Sequence, residues 1–276
     1  MKEYHIKAGI ILSICCGFFL LLYKSGQVPQ CLNADEVAFG YNAFSILKTG
    51  HDEHGALLPL RLASFNDFKL PLYSYLSIPF IAIGGLNDTT VRLPNIVLTL
   101  LLGILFYLFL KKVFDSRAIA VVGTFLLSTS VWVLFLARQA HEGVLATVCI
   151  LGAWLLYVHA WERRSIHYAI GSLFLACIST FGYHFGRFFL AIQLVFFFIF
   201  LWRQTDKRKK ILPTVGIVVS AIGLFILPFI VDGSYGADRV ANLAFYRNEG
   251  FKMKIDEYRR ENNNHLIFNK LTEGIT

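Results

Sequence analysis

Apolar residues in this chain fall into long blocks separated by short polar stretches. Seven blocks, at 8–23, 93–110, 118–136, 143–160, 168–183, 188–202 and 211–231, approach the roughly 20 residues that cross a bilayer as helix. The pattern predicts an all-α polytopic membrane protein of about seven transmembrane helices. The first block is preceded by Lys2 and Lys7, as in a signal peptide, but no small-residue cleavage site follows it. An uncleaved first helix is the better reading. An eighth apolar stretch, 70–86, carries Pro71, Pro79, Gly84 and Gly85. Such residues break or end helices, so it reads as a non-spanning segment at the membrane surface, within a first loop covering 24–92.

Charge settles the parity of this reading. The segments at 1–7, 111–117, 161–167 and 203–210 hold twelve basic residues against four acids. The loop from Lys24 to Arg92 holds five against six. Short Lys- and Arg-rich loops stay cytoplasmic, so the N-terminus is expected inside and the long first loop outside. The net charge of +8 is then a feature of topology rather than a nucleic-acid footprint. Counting 70–86 as a span would put the cluster Lys207, Arg208, Lys209 and Lys210 outside, against the same rule. The segment 232–276 balances seven acids with seven bases and has few apolar positions, as expected of an extracytoplasmic stretch.

Composition adds little chemistry. Of five cysteines, Cys15, Cys16, Cys149 and Cys177 lie inside apolar blocks and only Cys31 reaches the first loop, with no metal-ligand spacing. His51-Asp52-Glu53-His54 resembles a metal cluster but lacks further ligands at fixed spacing, and reads as a polar turn. Asn87-Asp88-Thr89 matches the three-residue glycosylation sequon, a short pattern of low specificity.

The residues able to carry chemistry collect where this topology puts the outer face. Asn33 followed by Glu36 is a capping-box signature, predicting a helix to about Lys48 that ends at Gly50. Val37, Tyr41, Phe44 and Leu47 share one face of that helix, as an interface-lying helix requires. Asp35 sits in its first turn, where the helix dipole favours a carboxylate suited to accept a proton or hold a cation. Ordinary first-turn acids would look the same. Arg138 and Glu142 stand four residues apart, a spacing that lets them pair on one helical face, with His141 as an added donor. Arg187, close to Tyr183 and His184, suits an anionic headgroup, or equally snorkels to the interface. Arg92 reads as a similar interfacial anchor.

The ordered segments LNADEVAFGYNAFSILKTGHDEHGALLPL, NDFKLPLYSYLSIPF, TTVRLPN, ARQAHEGVLA and YHFGRFF resemble the GT-C class of membrane glycosyltransferases. Within that class they are similar to the dolichyl-phosphate-mannose–protein mannosyltransferase and aminoarabinose transferase superfamily, over about residues 1–235. The resemblance implies a GT-C-like N-terminal module of seven spans, with juxtamembrane helices in the first outer loop. It implies transfer of a sugar from a polyprenyl-phosphate donor to an extracytoplasmic protein or glycolipid acceptor, with inversion. Asp35 becomes the candidate base with Glu36 beside it, and Glu142 the second outer-loop acid, where some branches carry Asp. Arg187, Lys69 and Arg138 become candidates for the donor phosphate, with Tyr183 and His184 accessory. No obligatory cofactor is expected, and a divalent cation stays open; the partners are the lipid bilayer, the donor and the acceptor, not nucleic acid. Family members continue beyond the point where this chain stops, which implies a truncated product. The rival reading is a non-catalytic lipid-binding scaffold or a transporter-like protein. Against a transporter, the spans hold almost no mid-span ionisable residue and show no internal repeat.

Overall fold

A computed structural model describes residues 2–24, 27–64, 67–203 and 253–254. Contacts divide the chain into two compact units, residues 1–231 and 232–276; of the second, only Met253 and Lys254 are described. Nine helices and one small hairpin are seen among the described residues. They are α1 (Lys2–Leu22), α2 (Ala34–Thr49), β1 (Leu62–Ser64), β2 (Asp67–Lys69), α3 (Leu72–Gly84), α4 (Asp88–Phe114), α5 (Arg117–Thr129), α6 (Val131–Ala137), α7 (Glu142–Arg163), α8 (Ile166–Gly182) and α9 (Phe185–Arg203).

Three helices, α4, α7 and α9, are long and apolar enough to cross a membrane, and α5 with α6 adds a fourth if that bent pair is one span. The expected count of seven is therefore not established. α8 is apolar but has 17 residues. α1 is a 21-residue helix. The expected span at 211–231 lies outside the described residues. Small departures from an all-α fold are the antiparallel hairpin pairing Leu62 with Lys69 and an isolated bridge between His51 and Leu57.

Local signals place the helix ends. Asn33 caps α2 with the full reciprocal box to Glu36, and Gly50 closes it in the left-handed region at φ 74°. Asn87 makes the same reciprocal box with Thr90 at the start of α4. Pro71 precedes α3 and Gly85 follows it, but Pro79 sits inside the helix instead of ending it. At 13 residues α3 is about 20 Å long, too short for a hydrocarbon core of roughly 30 Å.

The expected third span is not one straight helix. It breaks at Ser130, and α5 and α6 are bent by 59°. The hydroxyls of Ser128 and Thr129 both donate back to the carbonyl of Phe125. Such side-chain bonds compete with the helical ladder, and they fall at the break.

Two packed regions position the site. In one, Ala153, Ala160, Ala169 and Ala176 let α7, α8 and α9 approach closely around Leu190, Phe197 and Phe200. A polar thread crosses it: Gln193 donates to the Ser172 hydroxyl (2.6 Å), which donates to the Ala153 carbonyl (2.7 Å). In the other, Phe39 and Ala43 of α2, Tyr73 and Ile81 of α3, and Val91 of α4 pack with Ala140. The opposite face of α2 presents Val37, Tyr41 and Leu47 outward.

Gly186 turns α8 into α9. A Cβ there would lie 2.3 Å from the Ser179 carbonyl oxygen, so any side chain forces the two backbones apart. Gly186→Ala is expected to cost about 1–3 kcal/mol, the usual range for overpacking, read as a lowered midpoint of thermal unfolding in detergent.

Candidate functional site

Glu36 is 1% exposed and accepts four hydrogen bonds. Arg92 Nε and Nη2 donate at 2.8 and 3.1 Å, the Ala140 N–H at 2.8 Å and the Asn33 N–H at 2.9 Å. Arg92, fully buried, also donates to the carbonyls of Pro29 and Cys31, each at 2.9 Å. Isolated ions at this depth would cost several kcal/mol each, and only this density of partners offsets that. The pair ties together the start of α2, the start of α4, the segment that leads into α2, and the connection between α6 and α7. Sequence reading had placed Arg92 as an interfacial anchor; it lies instead inside α4 as half of a buried ion pair. Glu36, named with Asp35 as catalytic, has its carboxylate committed to this frame.

Asp35 is the neighbour that the frame turns outward. Its side chain is 63% exposed, and it meets the Lys69 ammonium at 2.5 Å. Lys69 stands on β2 with 9% of its side chain exposed, and its ammonium also lies 5.7 Å from the centre of the Phe39 ring. A buried cation thus faces an accessible carboxylate.

His141 completes this corner. Its Nδ1 accepts from the Gly143 N–H at 2.9 Å, capping α7 and leaving the proton of the neutral ring on Nε2. Burial holds the imidazole below the ordinary histidine pKa; the Asp35 charge pulls it up and Lys69 pushes it down. The ring lies 6.0 Å from that of Tyr183, which is 6.3 Å from that of His184. Asp35, Lys69, His141, Tyr183 and His184 are thereby linked from α2 to the α8–α9 turn. Arg187 follows in the first turn of α9.

The structure rearranges two other expectations. Arg138 and Glu142 are not four residues apart on one helix: Arg138 ends α6 and Glu142 opens α7. Arg138 Nη2 donates to the carbonyls of Leu20 and Tyr23, at 2.5 and 2.7 Å, so it fastens the end of α1. Asn95 passed unnoticed in the sequence. Fully buried on α4, it donates to the carbonyls of Leu136 and Gln139 at 2.9 and 2.6 Å, fixing the chain between α6 and α7. A lone Asn in an apolar helix was the available signal.

The His51–His54 run forms a turn in which the Asp52 carboxylate accepts from the N–H groups of His54 and Ala56. Among the described residues, no group of three or more His, Cys, Asp or Glu side chains is placed to hold a metal ion.

Long apolar helices joined to a charged corner at one end of the bundle define an integral membrane protein with a site at the ends of its helices. Residues 69–231 match the family model for dolichyl-phosphate-mannose-protein mannosyltransferase, which covers more than half the chain, and the protein belongs to that family of glycosyltransferases. The match opens at Lys69, so Asp35 and Glu36 lie before it. No curated protein and no solved structure matches.

Breaking the buried pair should be severe. Glu36→Gln or Arg92→Met leaves an uncompensated group in the interior and is expected to cost about 3–5 kcal/mol, seen as early proteolysis and a lowered unfolding midpoint. His141 sets a pH dependence. Because its folded pKa lies below the unfolded one, its contribution is complete above about 6.5 and is lost as pH falls through that value toward the folded pKa. Protonation also removes the Nδ1 acceptor that caps α7. Unfolding midpoints measured from pH 8 to 5 should fall in wild type, and fall less in His141→Asn.

Proposed function

We propose that the chain is an inverting glycosyltransferase that moves a sugar from polyprenyl phosphate to a hydroxyl on an extracytoplasmic acceptor, with Asp35 as the base. The observation that carries the reading is an accessible Asp35 carboxylate held against a buried Lys69 on a rigid frame. Asp35 takes the acceptor hydroxyl proton as that oxygen attacks the anomeric carbon. The new carbon–oxygen bond forms as the bond to the phosphate oxygen breaks on the opposite face, which inverts the centre. Polyprenyl phosphate leaves with its negative charge, and cations placed in advance stabilise that charge most where water is excluded. Lys69 is suited to this task by its burial beside the base, and Arg187 by its place at the start of α9. Glu36 positions Asp35 from below through its bonds to Arg92 and Ala140. Glu142 stands in the first turn of α7, next to His141, on the acceptor side of the proposed site.

The same reading places the N-terminus in the cytoplasm and the corner built by α2, α3 and the hairpin on the outer surface. The charge pattern of the loops supports that orientation. No obligatory cofactor enters this scheme. A divalent cation would have to be shared by Asp35 and the donor phosphate, and metal chelation before assay tests for it.

Asp35→Asn is expected to lower transfer at least a hundredfold while leaving saturable binding of a polyprenyl-phosphate sugar intact. Arg187→Ala should weaken that binding about tenfold or more. Both are read with purified protein in detergent, by binding and by transfer to acceptor. Full transfer by Asp35→Asn would remove it as the base.

A further inference from the structure

A cavity of about 320 Å³ lies between α1, α4 and the bent α5–α6 pair, at the small end of the range for organic ligands. Its walls are almost entirely apolar and include Gly17, Leu21, Gly103, Tyr107, Val121 and Leu134. Among the described residues, two features leave it unfilled. A Cβ built on Gly103 meets no atom of the described residues within 4 Å, so among them this glycine faces open space. The Thr124 hydroxyl, on a residue 9% exposed that lines the cavity, has no hydrogen-bond partner. In a helix such a hydroxyl ordinarily bonds back to a carbonyl one turn earlier, and burying it unmet is unfavourable.

The cavity stands apart from the candidate site. At 3.6 residues per turn, Leu98, Leu102 and Leu105 of α4 face α7, where they pack with Val144, Leu145 and Val148. Thr99, Gly103 and Tyr107 point to the other side of the helix and line the cavity. Lys69 and Arg187, the cations proposed for the donor, belong to the hairpin and to α9. A donor held by them would not thread its tail through the far side of α4.

A different cation marks the rim. Arg138 Nη2 is bonded to the carbonyl of Leu20, adjacent to the cavity-lining Leu21, and the Arg138 N–H bonds to the carbonyl of cavity-lining Leu134. The guanidinium is therefore held next to the α1–α6 end of the slot without lining it, and its Nε–H is enclosed without a hydrogen-bond partner. A cation set above an apolar slot among bilayer-crossing helices complements an anionic headgroup above a hydrocarbon chain.

We propose that this slot holds one acyl chain of an anionic glycerophospholipid, with its phosphate against Arg138, as a lipid site separate from the sugar donor. The chain fills the space opened by the bend at Ser130 and wedges α1 against α4 and α5. Apolar contact supplies most of the attraction, and the fixed guanidinium selects for negative charge.

Photolabelling of the full chain in detergent micelles tests this, using phosphatidylglycerol with a diazirine at the end of one acyl chain. Label is expected on the peptides of α4 around Gly103 and of α5 around Val121 and Thr124, more than fivefold above α7–α9. Gly103→Leu, which fills the slot, should cut that label at least fivefold without moving the unfolding midpoint downward. If it fails to fold, Val121→Phe from the facing wall is read in the same way. Unlabelled phosphatidylglycerol should compete, and phosphatidylcholine should compete at least fivefold less well. Even labelling of all spanning helices, or label unchanged by filling the slot, would overturn the proposal. Stronger competition by polyprenyl phosphate than by phosphatidylglycerol would give the slot to the donor, and also overturn it. Loss of transfer in Asp35→Asn with this labelling unchanged separates the lipid site from the catalytic reading.

Discussion

The Glu36–Arg92 ion pair is the contact on which the rest of the site depends. Two opposite charges buried among apolar helices survive only where nearly every donor and acceptor is used. Four donors surround the carboxylate, and the guanidinium reaches two further carbonyls. That requirement is directional, so it fixes more than energy. It sets α2 against α4, holds the chain before α2 in place, and anchors the backbone at Ala140. A purely apolar junction could slide; this one has a single geometry in which its polar groups are paired.

What the frame presents follows from helix periodicity. Glu36 points inward, so Asp35, its neighbour in sequence, points out by about 100° and reaches Lys69. Ala140 is held by Glu36, so His141 beside it is set at the start of α7 and approaches Tyr183 at the α8–α9 turn. Elements far apart in sequence thus share one corner through adjacent residues that face different ways. The function proposed above gives that corner a chemical context: a carboxylate for a proton and cations for a leaving phosphate.

The family match and the corner overlap only in part. The match spans 69–231, and the accessible carboxylate precedes it. Lys69, His141, Tyr183 and His184 of the corner lie within the match, and Lys69, first in the matched stretch, is in contact with Asp35. On the far side of α4 the described residues leave a slot, and the unmet Thr124 hydroxyl and the fixed Arg138 are the grounds for the lipid proposed there.

The sequence determined by itself the features that depend on local chemistry. Uninterrupted apolar runs demand a membrane, because a soluble fold could not cover them. The Asn33–Glu36 box and Gly50 specified α2 to within a residue, since capping is settled within one helical turn. Motif order along the chain pointed to the glycosyltransferase family and, through that resemblance, to Lys69; Asp35, His141 and Tyr183 were legible as polar residues beside apolar blocks. Tertiary structure alone decided which of these polar residues meet. Arg92 lies 56 positions from Glu36, and no periodicity links the two. Arg138 and Glu142 have helical spacing, yet the chain turns between them. Local spacing cannot register a turn that Asn95, on another helix, holds in place. Burial decided the rest: it made Glu36 a structural ion and left Asp35 accessible, although the two stand side by side in sequence.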